Sequence, residues 1–155
     1  MRIYVDTNAF YYFFFYDTSY TGGIKKVLAS IASGKDEGIT SALTLDELSY
    51  ITLMNLIEKK YKVHPSSAIR KNKNVVAEFS EAIGEMFNII FSIDNLKIIP
   101  ADRNVSSSIP VYMKKYALLP RDCIHLATML QNECRHILST DPDFDGIPDI
   151  FRIDP

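Results

Sequence analysis

Short apolar, β-rich runs alternate with helix-length stretches along the whole chain, and that alternation narrows the available folds more than any other feature. The runs are Ile3-Tyr4-Val5, Gly38 to Ser41, Leu96 to Ile99, Ile137 to Thr140 and Ile150 to Ile153. Most are bounded by turn or helix-start residues, as buried strands are. Between them, Lys25 to Ser33 repeats Val27, Leu28 and Ile31 at helical spacing and stops at Gly34. Thr44 begins a helix through about Lys60, with Thr44 and Glu47 in the Thr-x-x-Glu arrangement of a capping box. After the break at His64-Pro65-Ser66-Ser67, one long helical pattern spans about Ser67 to Phe91, interrupted near Gly84. Asp102 is the expected N-cap of a helix reaching about Tyr116, and Pro120 opens a further helix expected to include both Cys123 and Cys134. Strands alternating with helices predict an α/β fold with a parallel sheet covered on both faces.

No repeat, low-complexity tract or linker divides the 155 residues, a length that buries a core without disulfides or structural metal, so a single domain over 1–155 is expected. Hydrophobic residues make up 47% and charged residues 23%, which excludes a disordered or fibrous chain. The formal net charge of -2 does not advertise a nucleic-acid binder, although cations bound at a carboxylate-rich site reverse its local sign. Cys123 and Cys134 on one helix stand roughly 16 Å apart at 1.5 Å per residue, too far for a disulfide. Met-Arg-Ile-Tyr-Val-Asp is not a signal-peptide start, and the apolar run Ala9 to Tyr16 is too short to span a bilayer, so the cytoplasm is the expected compartment.

Open α/β sheets place their sites at the carboxyl ends of the strands. Asp6 and Asp141 directly follow two predicted strands there. Glu47 and Asp122 fall in the first turns of the helices begun at Thr44 and Pro120. Each acid has a plainer reading. Glu47 serves equally as a capping-box residue, Asp122 as a partner of the helix dipole, and Asp141 before Pro142 as a turn former. Asp6 is hardest to explain structurally, since an acid ending a buried strand has little purpose there. Carboxylates crowded together repel, and hard divalent cations relieve the repulsion. With no His/Cys ligand set in evidence, Mg²⁺ or Mn²⁺ is favoured over Zn²⁺. Asn8 and Thr140 suit hydrogen bonding to the carboxylates, and equally cap and turn roles; Ser139 has a weaker claim. Asp46 lies about 100° round the helix from Glu47, so only one of the two faces the site. His125, one turn from Asp122, reads first as a satisfied, half-buried histidine. Lys114, Lys115 and Arg121 read first as solvated charges, with RNA phosphates as an alternative use.

Four segments carry a family resemblance: Ile-Tyr-Val-Asp-Thr-Asn at 3–8, Thr-Ser-Ala-Leu-Thr-Leu-Asp-Glu-Leu at 40–48, Arg-Asp-Cys-Ile-His-Leu-Ala-Thr at 121–128 and Leu-Ser-Thr-Asp-Pro-Asp-Phe at 138–144. In this order and spacing the chain resembles the PIN-domain family, and within it the VapC-like toxin ribonucleases. The resemblance covers nearly the whole chain. It implies a three-layer α/β/α domain with a central parallel sheet. The acidic metal site it implies maps onto Asp6, Glu47, Asp122 and Asp141, with Asp143 as a further acid of the last motif. It also implies an RNA substrate, a homodimer and a VapB-like antitoxin. The aromatic run Phe10 to Tyr16 is too apolar for a surface helix and is expected to supply an interface as well as core. Two other acid-based α/β enzymes fit less well. A haloacid-dehalogenase-like phosphatase needs an Asp where Asn8 stands, and a response-regulator receiver needs a second acid and a Lys that are missing from their places. A non-toxin PIN nuclease of RNA processing, and a non-catalytic PIN module binding RNA or protein, remain as alternatives.

Overall fold

Alternation along a strand sends successive side chains to opposite faces of a sheet, and the first strand, β1 (Arg2–Val5), does this at the centre of the molecule. Ile3 and Val5 enter one core and Tyr4 the other, all three buried. In the computed structural model, which describes residues 1–16 and 18–155, β1 is flanked by β2 (Glu37–Ser41) and β4 (His136–Leu138). The edges are β3 (Leu96–Ile99) and β5 (Phe151–Ile153), giving the order β3-β2-β1-β4-β5. Every pairing is parallel, with Tyr4 in register with Ile39 on one side and Ile137 on the other. The predicted parallel sheet and three-layer α/β/α arrangement are what the structure has.

On one face lie α1 (Thr7–Phe15), α2 (Ser19–Ala32), α3 (Ala42–Tyr61) and α6 (Ser80–Phe91), which bury Phe10, Ile24, Ile31, Leu48 and Ile90 against Ile3 and Val5. Gly38 lets α2 approach β2 closely, because a Cβ there would lie 2.7 Å from the Ile31 side chain. The other face is covered by α8 (Ile109–Tyr116) and α9 (Pro120–Gln131), whose Cys123, Leu126 and Met129 pack on Tyr4, Ile39 and Ile137. No helix of the described residues is long and apolar enough to cross a membrane.

Several element boundaries differ from the sequence reading, each for a local reason. The long pattern after His64 is three helices, α4 (Pro65–Lys71), α5 (Asn74–Glu78) and α6, with Gly84 inside the last. Asn72 is extended and its side chain accepts the Asn74 N–H, which stops α4 and lets Ala68 and Val75 fold back onto Ile57 of α3. The segment after Asp102 is likewise split, into α7 (Arg103–Ser107) and α8. Pro110 lacks the N–H that a continuous helix needs and sits instead in the first turn of α8. Helix α2 starts well before Lys25, because Thr18 and Thr21 form a reciprocal capping box and carry Gly22 and Gly23 into the helix. The expected Thr44–Glu47 capping box is absent: Ser41 is the N-cap of α3, its hydroxyl accepting the Thr44 N–H at 3.1 Å. Glu47 therefore stands in the second turn. Cys134 lies beyond the end of α9, where Asn132 closes the helix, and both cysteines are buried free thiols. Strand β4 stops at Leu138, so Asp141 is reached through Ser139 and Thr140 rather than directly.

Candidate active site

In this strand order the chain winds from β1 to β2 and β3 on one side, then returns to build β4 and β5 on the other. The crevice at the carboxyl ends of β1 and β4 is thus the topological switch point where open α/β sheets hold ligands. Asp6 is fixed in that crevice by its own backbone role. It is the N-cap of α1, its Oδ1 accepting the Thr7 N–H at 2.7 Å. Oδ2 accepts from Asn8 Nδ2 and from Ser139 Oγ, both at 2.7 Å. Asn8 also donates to Ser139 Oγ at 2.9 Å and accepts the Thr140 N–H at 3.0 Å, tying the end of β1 to the loop after β4. Ser139 Oγ further accepts the Asp141 N–H at 2.9 Å. Asp141 itself caps the short 3₁₀ turn Pro142–Phe144 by accepting the Asp143 N–H.

Helix α3 brings Glu47 to the same crevice, 8% exposed. Its Oε2 accepts from Thr7 Oγ1 at 2.6 Å and meets His125 Nε2 at 3.0 Å, while Oε1 lies 3.5 Å from Arg121 Nη1. Helix α9 contributes Asp122 and, one turn on, His125. The ring of His125 bridges the acids to the core: Nδ1 is 2.6 Å from the buried Tyr4 hydroxyl, and Nε2 is 3.9 Å from Asp6 Oδ1. Tyr4 is anchored in turn at 2.9 Å from Ser41 Oγ. The resulting cleft, of about 260 Å³, is lined by Asp6, Asn8, Glu47, Asp122, His125 and Asp141 together with Thr7, Tyr11, Ile51 and Arg121. Asp143 is exposed and outside this lining, and Asp46 is exposed on another face of α3.

Burial pushes the carboxyls of Asp6 and Asp122 up. Asp122 is raised further by the charges of Asp141, Asp6 and Asp143, against the pull of His125. Glu47 is held low despite burial, because His125 and Thr7 hydrogen-bond its charged form and Arg121 attracts it. Burial opposes a charge on His125, but the Glu47 hydrogen bond and the neighbouring acids outweigh it and raise the imidazole. His125 is therefore both a satisfied buried histidine and a member of the acidic crevice.

The four sequence-derived acids thus line one cleft, and their all-oxygen chemistry with mutual repulsion at Asp122 fits a hard divalent cation. Among the described residues no three His, Cys, Asp or Glu side chains stand arranged to enclose an ion. The oxygens of Glu47 are engaged by Thr7, His125 and Arg121, so metal coordination by Glu47 requires an exchange of partners. Of the supporting residues, Asn8 bonds the carboxylate as expected, whereas Thr140 contributes its backbone N–H to Asn8. Ser139, ranked below both in the sequence, is the residue whose hydroxyl reaches Asp6. Thr7, Tyr4 and the Arg121–Glu47 pair were missed; only the position of Thr7 inside Asp-Thr-Asn signalled a role.

Comparison with solved structures returns the same fold over almost the whole chain. The VapBC2 complex of Rickettsia felis, solved bound to a DNA fragment from their promoter, matches with a TM-score of 0.62 at 15% identity, covering 99% of this chain and 98% of that one. VapC20 of Mycobacterium tuberculosis, a Sarcin-Ricin loop cleaving toxin, matches with a TM-score of 0.63 at 15% identity and 99% of each chain. FitAcB of Neisseria gonorrhoeae matches with a TM-score of 0.60 at 19% identity, covering 99% and 97%. No curated protein matches significantly. The PIN domain family model matches residues 3–150, spanning all four acids of the cleft, and the chain belongs to the PIN-domain family.

Proposed function

We propose that this protein is a metal-dependent endoribonuclease that hydrolyses RNA phosphodiester bonds, acting as the toxin of a VapBC-type pair. The observation that carries the reading is the single cleft at the switch point lined by Asp6, Glu47, Asp122 and Asp141, with Asp122 raised by its acidic neighbours. These four acids are the proposed ligands of Mg²⁺ or Mn²⁺. Bound there, such an ion polarises the phosphodiester and supplies an activated water. The residues around the acids do the orienting. Asn8 and Ser139 fix the Asp6 carboxylate, and Thr7 and His125 fix Glu47. Arg121, exposed at the rim, supplies a cation for the substrate phosphate once it leaves Glu47.

The partners proposed are an RNA strand, a second copy of the chain and a VapB-like antitoxin whose tail lies beside the acids; one PIN unit over 1–155 in the cytoplasm is the proposed organisation. Structures of toxin–antitoxin complexes among the fold relatives support the antitoxin. The test is cleavage of single-stranded RNA with Mg²⁺ or Mn²⁺, and with EDTA. Activity abolished by EDTA, by Asp6→Asn and by Asp122→Asn is expected; cleavage that survives EDTA, or survives both substitutions, would overturn the mechanism.

A further inference from the structure

A second cavity, of about 350 Å³, opens between α1 and α3 beside the acidic cleft. Tyr11, Phe15 and Tyr16 form one wall and Asn55, Leu56, Glu58 and Lys59 another. Tyr11 lines both spaces, so the cleft and the cavity share an aromatic partition. The rings are held as a unit: the Tyr11 centroid lies 5.3 Å from Phe15 and 5.4 Å from Tyr16, and Asn55 Nδ2 donates to the Tyr11 hydroxyl. Helix α3 continues the same line. Glu47, Ile51, Asn55 and Lys59 each lie about one turn from the next, in a row that winds about 120° round the helix from the cleft outward. That row passes from acid to apolar side chain to amide to cation over about 18 Å of helix axis.

Aromatic plates rimmed by an amide, an acid and a cation suit a planar heterocycle whose edge both donates and accepts hydrogen bonds and which is joined to phosphates. Unstacked bases bind proteins by lying on aromatic rings, with amides reading their edges. An apolar side chain from a protein would fill the walls but make no use of the polar rim formed by Asn55, Glu58 and Lys59. We propose that the α1–α3 cavity is a nucleobase subsite, receiving one unstacked base of the strand against Tyr11 while its phosphates run from the acids toward Lys59. The placement of the phosphate rests on the nuclease reading above; binding of the base does not require cleavage.

Ligand-detected NMR titration of the full chain with adenosine and uridine 5′-monophosphates, against ribose 5-phosphate, tests the subsite. At least one nucleotide is expected to bind about tenfold more tightly than ribose 5-phosphate, the gain that stacking supplies. The difference should collapse in Tyr11→Ala and Leu56→Lys and persist in Tyr11→Phe, with circular dichroism confirming the fold. Phe15→Ala, at a more exposed ring, serves where Leu56→Lys fails to fold. Equal binding of nucleotide and ribose 5-phosphate overturns the proposal, as does a preference that survives removal of Tyr11 or Phe15. Displacement of nucleotide by N-acetylphenylalanine amide at lower concentration than by free base overturns it too, in favour of a protein side chain. Nucleotide preference without EDTA-sensitive cleavage removes the nuclease reading and leaves the subsite; cleavage without the preference does the reverse.

Discussion

Replacing Ser139 by Ala removes one buried oxygen that three separate parts of the cleft depend on. Its hydroxyl donates to Asp6 Oδ2 at 2.7 Å and accepts from Asn8 Nδ2 and from the Asp141 N–H, both at 2.9 Å. Ser139 is fully buried, so water does not readily replace what is lost. A hydrogen bond to a charged group contributes about 1.5–3 kcal/mol and a neutral one about 1 kcal/mol, while buried donors left unpaired add their own cost. The expected destabilisation is about 2–4 kcal/mol, or roughly 5–15 °C in melting temperature for a chain of this size. Ser139 also helps hold down an Asp6 carboxyl that burial pushes up, so the variant should carry Asp6 protonated to higher pH. If Asp6 ligates the metal, losing the residue that orients it lowers divalent-ion affinity by about 10–100-fold. Urea unfolding measures the first quantity and isothermal calorimetry with Mn²⁺ the second, on protein shown to be folded. An unfolding midpoint and a metal affinity both equal to the parent's would refute the role argued for this hydroxyl; a loss of stability with metal affinity intact would separate Asp6 from the metal.

Further outcomes follow from individual contacts. Ser41→Ala removes the N-cap of α3 and a partner of Tyr4 and should cost about 1–2 kcal/mol in urea unfolding, whereas Glu47→Gln should leave helix α3 capped and show no comparable loss of helicity by circular dichroism. Leu126→Ala, fully buried between α9 and the sheet, should cost about 2–5 kcal/mol by the same measurement. Hydrogen bonds from Lys97 and Arg2 hold Glu37 below its ordinary carboxylate value, so its stabilisation is present above that value and is lost as pH falls through the lowered one. Denaturant midpoints stepped from neutral into the acid range should therefore decline less steeply in Glu37→Gln than in the parent. Arg121→Ala should change stability by less than about 1 kcal/mol, because the side chain is largely exposed and solvent screens the pair. The same variant should bind Mn²⁺ several-fold more tightly in calorimetry, having lost the cation that competes for Glu47; weaker binding would contradict that competition.

The sheet was legible because its signal is local. Each strand is a short β-rich run whose edges coincide with turn or capping residues, and Asp102 and Pro120 mark helix starts that the structure keeps. The errors lie where two local signals compete and packing decides between them. Ser41 and Thr44 are both acceptable N-caps, and Ser41 wins because its hydroxyl also meets Tyr4 in the core. The pattern from Ser67 to Phe91 has helical periodicity throughout, yet Asn72 breaks it so that Ala68 and Val75 can cover Ile57, a contact no local window contains.

The candidate site divides along the same line. Its acids each sit near the end of a strand or the start of a helix, positions that a topological rule brings to one edge before any contact is known. The groups that orient them belong to pairs far apart in the chain: Asn8 with Ser139, Thr7 with Glu47, Tyr4 with His125. Nothing in a serine following a short strand distinguishes one that bonds a buried carboxylate from one that merely ends a turn. What distinguishes it is the register of β1 against β4, which sets Val5 opposite Leu138 and so delivers Asp6 and Ser139 side by side. The Glu47 contacts follow from the same kind of placement. Once Ser41 takes the cap, Glu47 is freed from the helix end and turned, one turn further along α3, toward Thr7 and His125. The error in the cap and the availability of the acid are therefore one fact: had Glu47 closed a capping box, its carboxylate would have been spent on the backbone of α3 and the cleft would lack one of its four acids.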